Sequence, residues 1–236
     1  MAFFSKCAAI AASVGVLALF FSPAVTPVYG QAVPVKVVKQ NDSWQLLRGG
    51  KPYFIKGAGG SDRLELLKAS GGNSIRTWGA DNAGKDLDAA QKLGLTVTVG
   101  IWLGHPQHGF KYDDPKMVAD QLAKARAVVA KNRDHPALLA WGVGNEMEMA
   151  SGGNDDNMWR AVEEIAKAIK ELDPNHPTVT VIAEIGDGGV KAKKVAKLCP
   201  SIDILGVNSY GGLASLPTRL RVADWNKPYM VTEFGT

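Results

Sequence analysis

The feature that most limits what this chain can become is a repeated unit of an apolar strand, a glycine-rich or polar end, then an amphipathic helix, with seven strands and a helix after each of the first six. Strand-like runs lie at 54–58, 74–79, 96–103, 138–145, 178–184, 202–210 and 229–233. Helical patterns separate them at 64–68, 87–93, 117–131, 158–172 and 190–198, with a weaker one near Arg219. Leu87, Ala90 and Leu93 keep helical spacing, as do Val162, Ile165 and Ile169. Runs such as 137–143 are apolar without alternation, which suits parallel strands covered on both faces. Short connections and parallel strands predict an α/β (β/α)8 TIM barrel over residues 53–236, its first strand at Tyr53 to Gly57. No G-x-G-x-x-G opens a helix after the first strand, which counts against a dinucleotide-binding open sheet. Seven strands leave two edges unpaired, so the expected barrel is truncated after strand seven, with an eighth beyond residue 236. Ahead of it, two β-like runs with turns at Asn41-Asp42 and Gly49-Gly50 read as an N-terminal β-hairpin over 33–52.

The amino terminus has a different composition. Lys6 is followed by an uncharged apolar run, Cys7 to Phe21, and then by small residues and prolines up to Ala32. That is the layout of a secretory signal peptide over 1–30, and its apolar core is shorter than the ~20 residues a membrane-spanning helix needs. The expectation is export, with no membrane partner once the segment is removed. The mature chain would keep Cys199 as its only cysteine, so stability must come from its core rather than from a disulfide. A formal charge of +4, reduced to +3 without Lys6, is spread over helices among acidic residues. Solvated helix faces explain it better than a nucleic-acid surface.

In a parallel barrel every strand ends on the same face, so the terminal residues converge. Gathered there are Arg76, Trp78, Trp102, His105, Asn145, Glu146, Glu184, Asn208, Tyr210 and Glu233. Amides and carboxylates at the ends of apolar strands are poorly explained by packing. Two carboxyls with an arginine, a tyrosine, amides and indoles suit cleavage of a glycosidic bond through an oxocarbenium-like transition state. One acid protonates the leaving oxygen while a second carboxylate attacks the anomeric carbon. Neighbouring carboxyls resist ionising together, so one is expected to keep its proton. Arg76 and Tyr210 could hold the other ionised, Asn145 could reach a sugar hydroxyl, and Trp78 and Trp102 could stack on pyranose rings.

The stretches RDHPALLAWGVGNE (133–146), VTEFG (231–235) and NSIRTW (73–78) resemble clan A of the retaining glycoside hydrolases. GKPYFIKGAGG (50–60), LDPNHPTVTV (172–181) and GVNSYGG (206–212) add to the likeness, which spans nearly the whole mature chain. It is closest to the catalytic barrels of family 2, with family 5 enzymes of the mannanase kind near. The resemblance implies Glu146 as acid/base and Glu233 as nucleophile. It also implies Asn145 at the sugar 2-hydroxyl, Arg76 and Tyr210 beside the nucleophile, and His105 in the substrate site, where the strand-end residues Trp78, Trp102 and Asn208 are expected to join it. No cofactor and no metal are implied, and the partner is a carbohydrate. The family's usual N-terminal β-sandwiches are not seen, and Met147-Glu148 replaces the commoner Pro or Ser after Asn-Glu. Three functions remain open: a retaining β-glycosidase, a transglycosylase using the same glutamates, and a carbohydrate-binding barrel without turnover.

Plainer roles are expected elsewhere. Glu184 reads as a rim or substrate-contact residue, and His135 and His176, each before a proline, as structural. His105 and His108 lack the histidine pair on the first strand that zinc barrels use. Trp44, Trp141, Trp159 and Trp225 read as packing residues, Cys199 as buried and inert, and Asn154–Asn157 as a helix cap rather than a calcium loop.

Overall fold

The computed structural model describes residues 31–235, and the expected signal segment, 1–30, lies outside them. The first elements are β1 (Val35–Gln40), β2 (Ser43–Arg48) and β3 (Lys51–Pro52), an antiparallel sheet turning at Asn41 and at Gly49-Gly50. The expected hairpin therefore carries a third, two-residue strand.

The barrel follows with β4 (Gly57–Gly59), α1 (Leu64–Ala69), β5 (Ser74–Arg76), α2 (Ala83–Lys92), β6 (Thr96–Ile101) and α3 (Pro115–Asn132). It continues with β7 (Leu138–Asn145), α4 (Asp156–Leu172), β8 (Thr178–Ala183), α5 (Val190–Leu198), β9 (Ile204–Tyr210), α6 (Leu216–Val222) and β10 (Tyr229–Gly235). Strands β4 to β10 form one seven-stranded parallel sheet in sequence order, curved into a nearly closed TIM barrel whose edges are β4 and β10.

The first barrel strand departs from expectation. Residues 53–56 are not strand, and pairing begins at Gly57 opposite Ser74. The Asn73 side chain takes the place of a ladder there, donating to the Phe54 carbonyl and accepting from the Lys56 N–H, both at 2.8 Å. A side chain satisfies the backbone where the sequence pattern implied a neighbouring strand.

Helices seal the outer face. Asp155 caps α4, accepting from the Asn157 and Met158 N–H groups, so the Asn154–Asn157 run is a cap. That helix buries Met158, Trp159, Val162, Ile165 and Ile169. Each fully buried side chain of this size contributes ~1.5–3 kcal/mol. Alternation along the strands divides the core in two. Val97, Val99, Leu138, Trp141, Val143, Leu205 and Val207 face the helices, whereas Ala140, Val179, Val181 and Ile204 form a separate cluster inside the barrel. Val37 of β1 packs on that inner cluster. The Val35 N–H donates to the Asn175 carbonyl and Arg48 to the Pro136 carbonyl, so the small sheet closes the amino-terminal end of the barrel. The opposite end stays open.

LDPNHPTVTV and the histidines before proline serve this frame. Asp173 accepts from Trp141 Nε1 and contacts His176 Nδ1, both at 2.8 Å, while buried His135 meets Asp88 and the Ala137 N–H. Cys199 is buried, and burial pushes its thiol up to about 12. Among the described residues no helix is long and apolar enough to cross a membrane.

Candidate active site

Two irregularities in the sheet make the site. Between β7 and β8 the register runs Gly142 opposite Val179, then Asn145 opposite Val181, so β7 carries one extra residue. Strict alternation from Ala140 and Gly142 would turn Gly144 inward and Asn145 toward the helices. The bulge reverses this, because residues paired across a parallel ladder share a face. Gly144 absorbs it at φ +74, and a Cβ there would fall 2.1 Å from Met147 Sδ. Between β10 and β9 the same thing happens at Thr232: Val231 pairs with Val207 and Glu233 with Asn208. Thr232 and Glu233 are thereby both directed inward. Gly206 leaves them room, since a Cβ there would lie 2.8 Å from Thr232 Cγ2 and from Val181 Cγ2.

Glu233 is the most heavily bonded of the strand-end carboxylates. Its Oε1 accepts from Arg76 Nη1 at 2.8 Å and Trp78 Nε1 at 2.7 Å, and its Oε2 accepts from the Tyr210 hydroxyl at 2.7 Å. Partial burial pulls the carboxyl upward, but the bonds from Trp78, Arg76 and Tyr210 and the Arg76 charge overcome it and hold it below the ordinary 4.5. Hydrogen bonding to Glu233 in turn raises the Tyr210 hydroxyl.

Arg76 spans the site. Its other arm, Nη2, donates to Asn145 Oδ1 at 2.6 Å, and the guanidinium lies 5.7 Å from the Trp78 ring. Asn208 completes the bridge, its Nδ2 reaching Glu146 Oε1 at 2.7 Å and Asn145 Oδ1 at 3.3 Å. The Thr232 hydroxyl donates to Asn208 Oδ1 at 2.7 Å, which fixes the amide's orientation and aims its N–H groups at Glu146. One connected network thus runs from Glu233 through Arg76, Asn145 and Asn208 to Glu146. Glu146 itself sits at φ 53, ψ 29, a left-handed conformation uncommon for a residue with a Cβ.

The remaining expected residues lie around this core. Trp102 is half exposed and stacks on His105 at 4.8 Å, and His105 stacks on His108 at 5.5 Å. His105 is buried, and desolvation and the neighbouring His108 lower its pKa. Among the described residues no three His, Cys, Asp or Glu side chains gather as they would round a metal ion. Trp78 is more than a possible platform, because its N–H is committed to Glu233. Glu184 lies apart from the network, bound to Ser209 at 2.6 Å and Arg219 at 2.7 Å on the rim. Sequence reasoning missed Thr232 and Glu148. The first lay inside the quoted VTEFG, and the second was visible only as a departure after Asn-Glu. A cavity of about 740 Å³ opens between β4 and β10 and reaches Arg76, Trp78, Tyr210 and Glu233, while Glu146 is not part of its wall.

Residues 61–236 match the family described as glycosyl hydrolases family 2, TIM barrel domain. A β-glucuronidase of Streptococcus agalactiae serotype V is 22% identical over 81% of this chain, which spans 38% of that relative. A mannan endo-1,4-β-mannosidase F of Aspergillus clavatus is 36% identical over 29% of the chain, covering 16% of its own length. Among solved structures, the β-D-glucuronidase of Dictyoglomus thermophilum superposes with a TM-score of 0.66 at 21% identity, covering 86% of this chain and 39% of its own. That structural likeness speaks for the fold alone, while the family match rests on the sequence. The chain belongs to the family 2 glycosyl hydrolases, and residues 61–236 are its TIM-barrel domain.

Proposed function

We propose that this barrel hydrolyses β-linked glycosides with retention of configuration, Glu233 acting as nucleophile and Glu146 as acid/base. The observation that carries the reading is the asymmetric bonding of the two carboxyls. Glu233 takes three hydrogen bonds, one from a guanidinium, which keep it an ionised acceptor ready to attack. Glu146 receives one bond, from a neutral amide.

In the first step a Glu233 oxygen bonds to the anomeric carbon while the glycosidic C–O bond breaks. Glu146 gives its proton to the departing oxygen. In the second, Glu146 takes a proton from water, whose oxygen displaces Glu233 from the anomeric carbon and regenerates both groups. Asn145 spends its carbonyl oxygen on Arg76 and Asn208, so its amide N–H is the part offered to a sugar hydroxyl. Trp102, held from behind by His105, gives a flat face on the same rim. Relatives named β-glucuronidase and mannan endo-1,4-β-mannosidase support a β-linked pyranoside as substrate class. The amino-terminal sequence supports export, which the amino terminus of secreted material would test.

A panel of aryl β-glycosides followed by proton NMR tests the mechanism. The first-formed sugar is expected as the β-anomer. An α-anomer appearing first would overturn retention, and no turnover on any member would leave a binding barrel.

A further inference from the structure

Two residues beyond Glu146 lies a carboxylate that this chemistry does not use. Glu148 is wholly buried at 0% exposure in the short 3-10 turn Met147–Ala150. Its Oε1 accepts from the Ala183 N–H at 2.8 Å, at the end of β8, and from Lys191 Nζ at 2.9 Å, on α5. Lys191, itself 9% exposed, also donates to the Ala183 carbonyl. The second oxygen, Oε2, is buried without a hydrogen-bond partner. Desolvation raises the Glu148 pKa against the opposing Lys191 charge.

A buried ion pair loses several kcal/mol of hydration per ion, and apolar residues of similar volume often replace one without loss of stability. A pair kept under those terms, with one oxygen unsatisfied, calls for a role other than stability. Its position supplies one. Glu146 holds a left-handed backbone that costs ~1–3 kcal/mol for a residue with a Cβ. A turn left to itself would relax and carry the Glu146 carboxyl away from Asn208. On one side the turn is tied by the Glu146 N–H to the Val181 carbonyl at 2.9 Å. On the other, Glu148 reaches Ala183, two residues further along the same strand, and Lys191 locks that contact to α5. Met147, between the two tied residues in sequence, is buried with its sulfur against Gly144.

We propose that Glu148 and Lys191 are a positioning pair that holds the turn after β7 in its strained conformation and so places the Glu146 carboxyl. The inference rests on the reading of Glu146 as acid/base. Misplacing a catalytic group by about an ångström can cost ~100-fold, and the loss falls only on steps that need the proton.

The test compares Glu148→Gln and Lys191→Met with the parent on two aryl β-glycosides, one with a poor leaving group and one with an activated dinitrophenolate. Active sites are counted by trapping with a 2-deoxy-2-fluoro glycoside, which requires only the nucleophile. Per active site, kcat/KM on the poor leaving group should fall about 10–100-fold and on the activated one less than about threefold. Lys191→Arg, which keeps the charge, should recover most of the difference. Equal losses on both substrates, no loss on either, or a Glu148→Gln protein that is unfolded at 25 °C would each make the pair a stability element and overturn the proposal. Glu146→Ala in the parent separates the two readings. If it shows no leaving-group dependence, the acid/base assignment fails rather than the positioning one.

Discussion

The ends of β7 and β10 are built alike and then treated differently. Each strand carries one extra residue that turns its last polar side chain into the barrel, and each delivers a glutamate to the Asn208 amide's neighbourhood. At β10 the glutamate is surrounded by donors: a guanidinium, an indole and a phenol. At β7 it meets one neutral amide, on a backbone whose strain is braced by a buried ion pair two residues on. Two groups of identical chemistry are separated by their surroundings alone. One is held charged, and the other is held in place. In the proposed mechanism, environment rather than residue type sets the division of labour.

The strongest way to break this comparison is to remove each glutamate in turn. Glu233→Ala should cost ~10⁴-fold or more in kcat on every substrate, with partial recovery when azide fills the space. Glu146→Ala should cost ~10²–10⁴-fold on poor leaving groups and far less on activated ones. Equal dependence on leaving group in both variants would show that the two ends are not differentiated.

Arg76→Met sharpens the electrostatic half. Loss of one charged donor to Glu233 should lower kcat/KM ~10²–10³-fold. It should also move the acid limb of the pH profile upward, because the ionised carboxyl loses the charge that depresses its pKa. A downward shift would contradict the assigned role. The same linkage reaches stability: Glu233, depressed in the folded state, contributes above its unfolded value of 4.5, and that contribution is lost as pH falls through the folded value. In Arg76→Met the pH dependence of thermal unfolding below 4.5 should flatten.

Thr232→Val is the mildest probe. It keeps shape but removes the hydrogen bond that orients Asn208, worth ~1 kcal/mol, so about a fivefold loss of kcat/KM is expected. Because Asn208 faces β7, the loss should fall on poor leaving groups and leave the acid limb of the pH profile where it was.

Strand β7 and helix α5 were legible in the sequence to the residue, since a long apolar run ending in Asn-Glu and a clean helical stretch each encode their own limits. β4 was displaced because Asn73, nineteen residues from Phe54 in sequence, supplies the bonds a ladder would have made. The site residues were legible by type. Arg76, Asn145, Glu146, Asn208, Tyr210 and Glu233 meet in one network, joined by the Trp78 indole. Trp102 and His105 stand beside it as a stacked pair.

What the sequence determined by itself is therefore periodic or local: the alternation of strand and helix, the caps, and the polar residues waiting at strand ends. Which way those last residues point was decided in three dimensions. A side chain's face follows from the parity of its strand, and one extra residue reverses that parity. Whether the extra residue is taken up as a bulge depends on the register of the neighbouring strand, which exists only once the sheet has formed. Asn145 and Glu233 owe their places in the site to that register, and Glu148 owes its partner to a helix forty-three residues away.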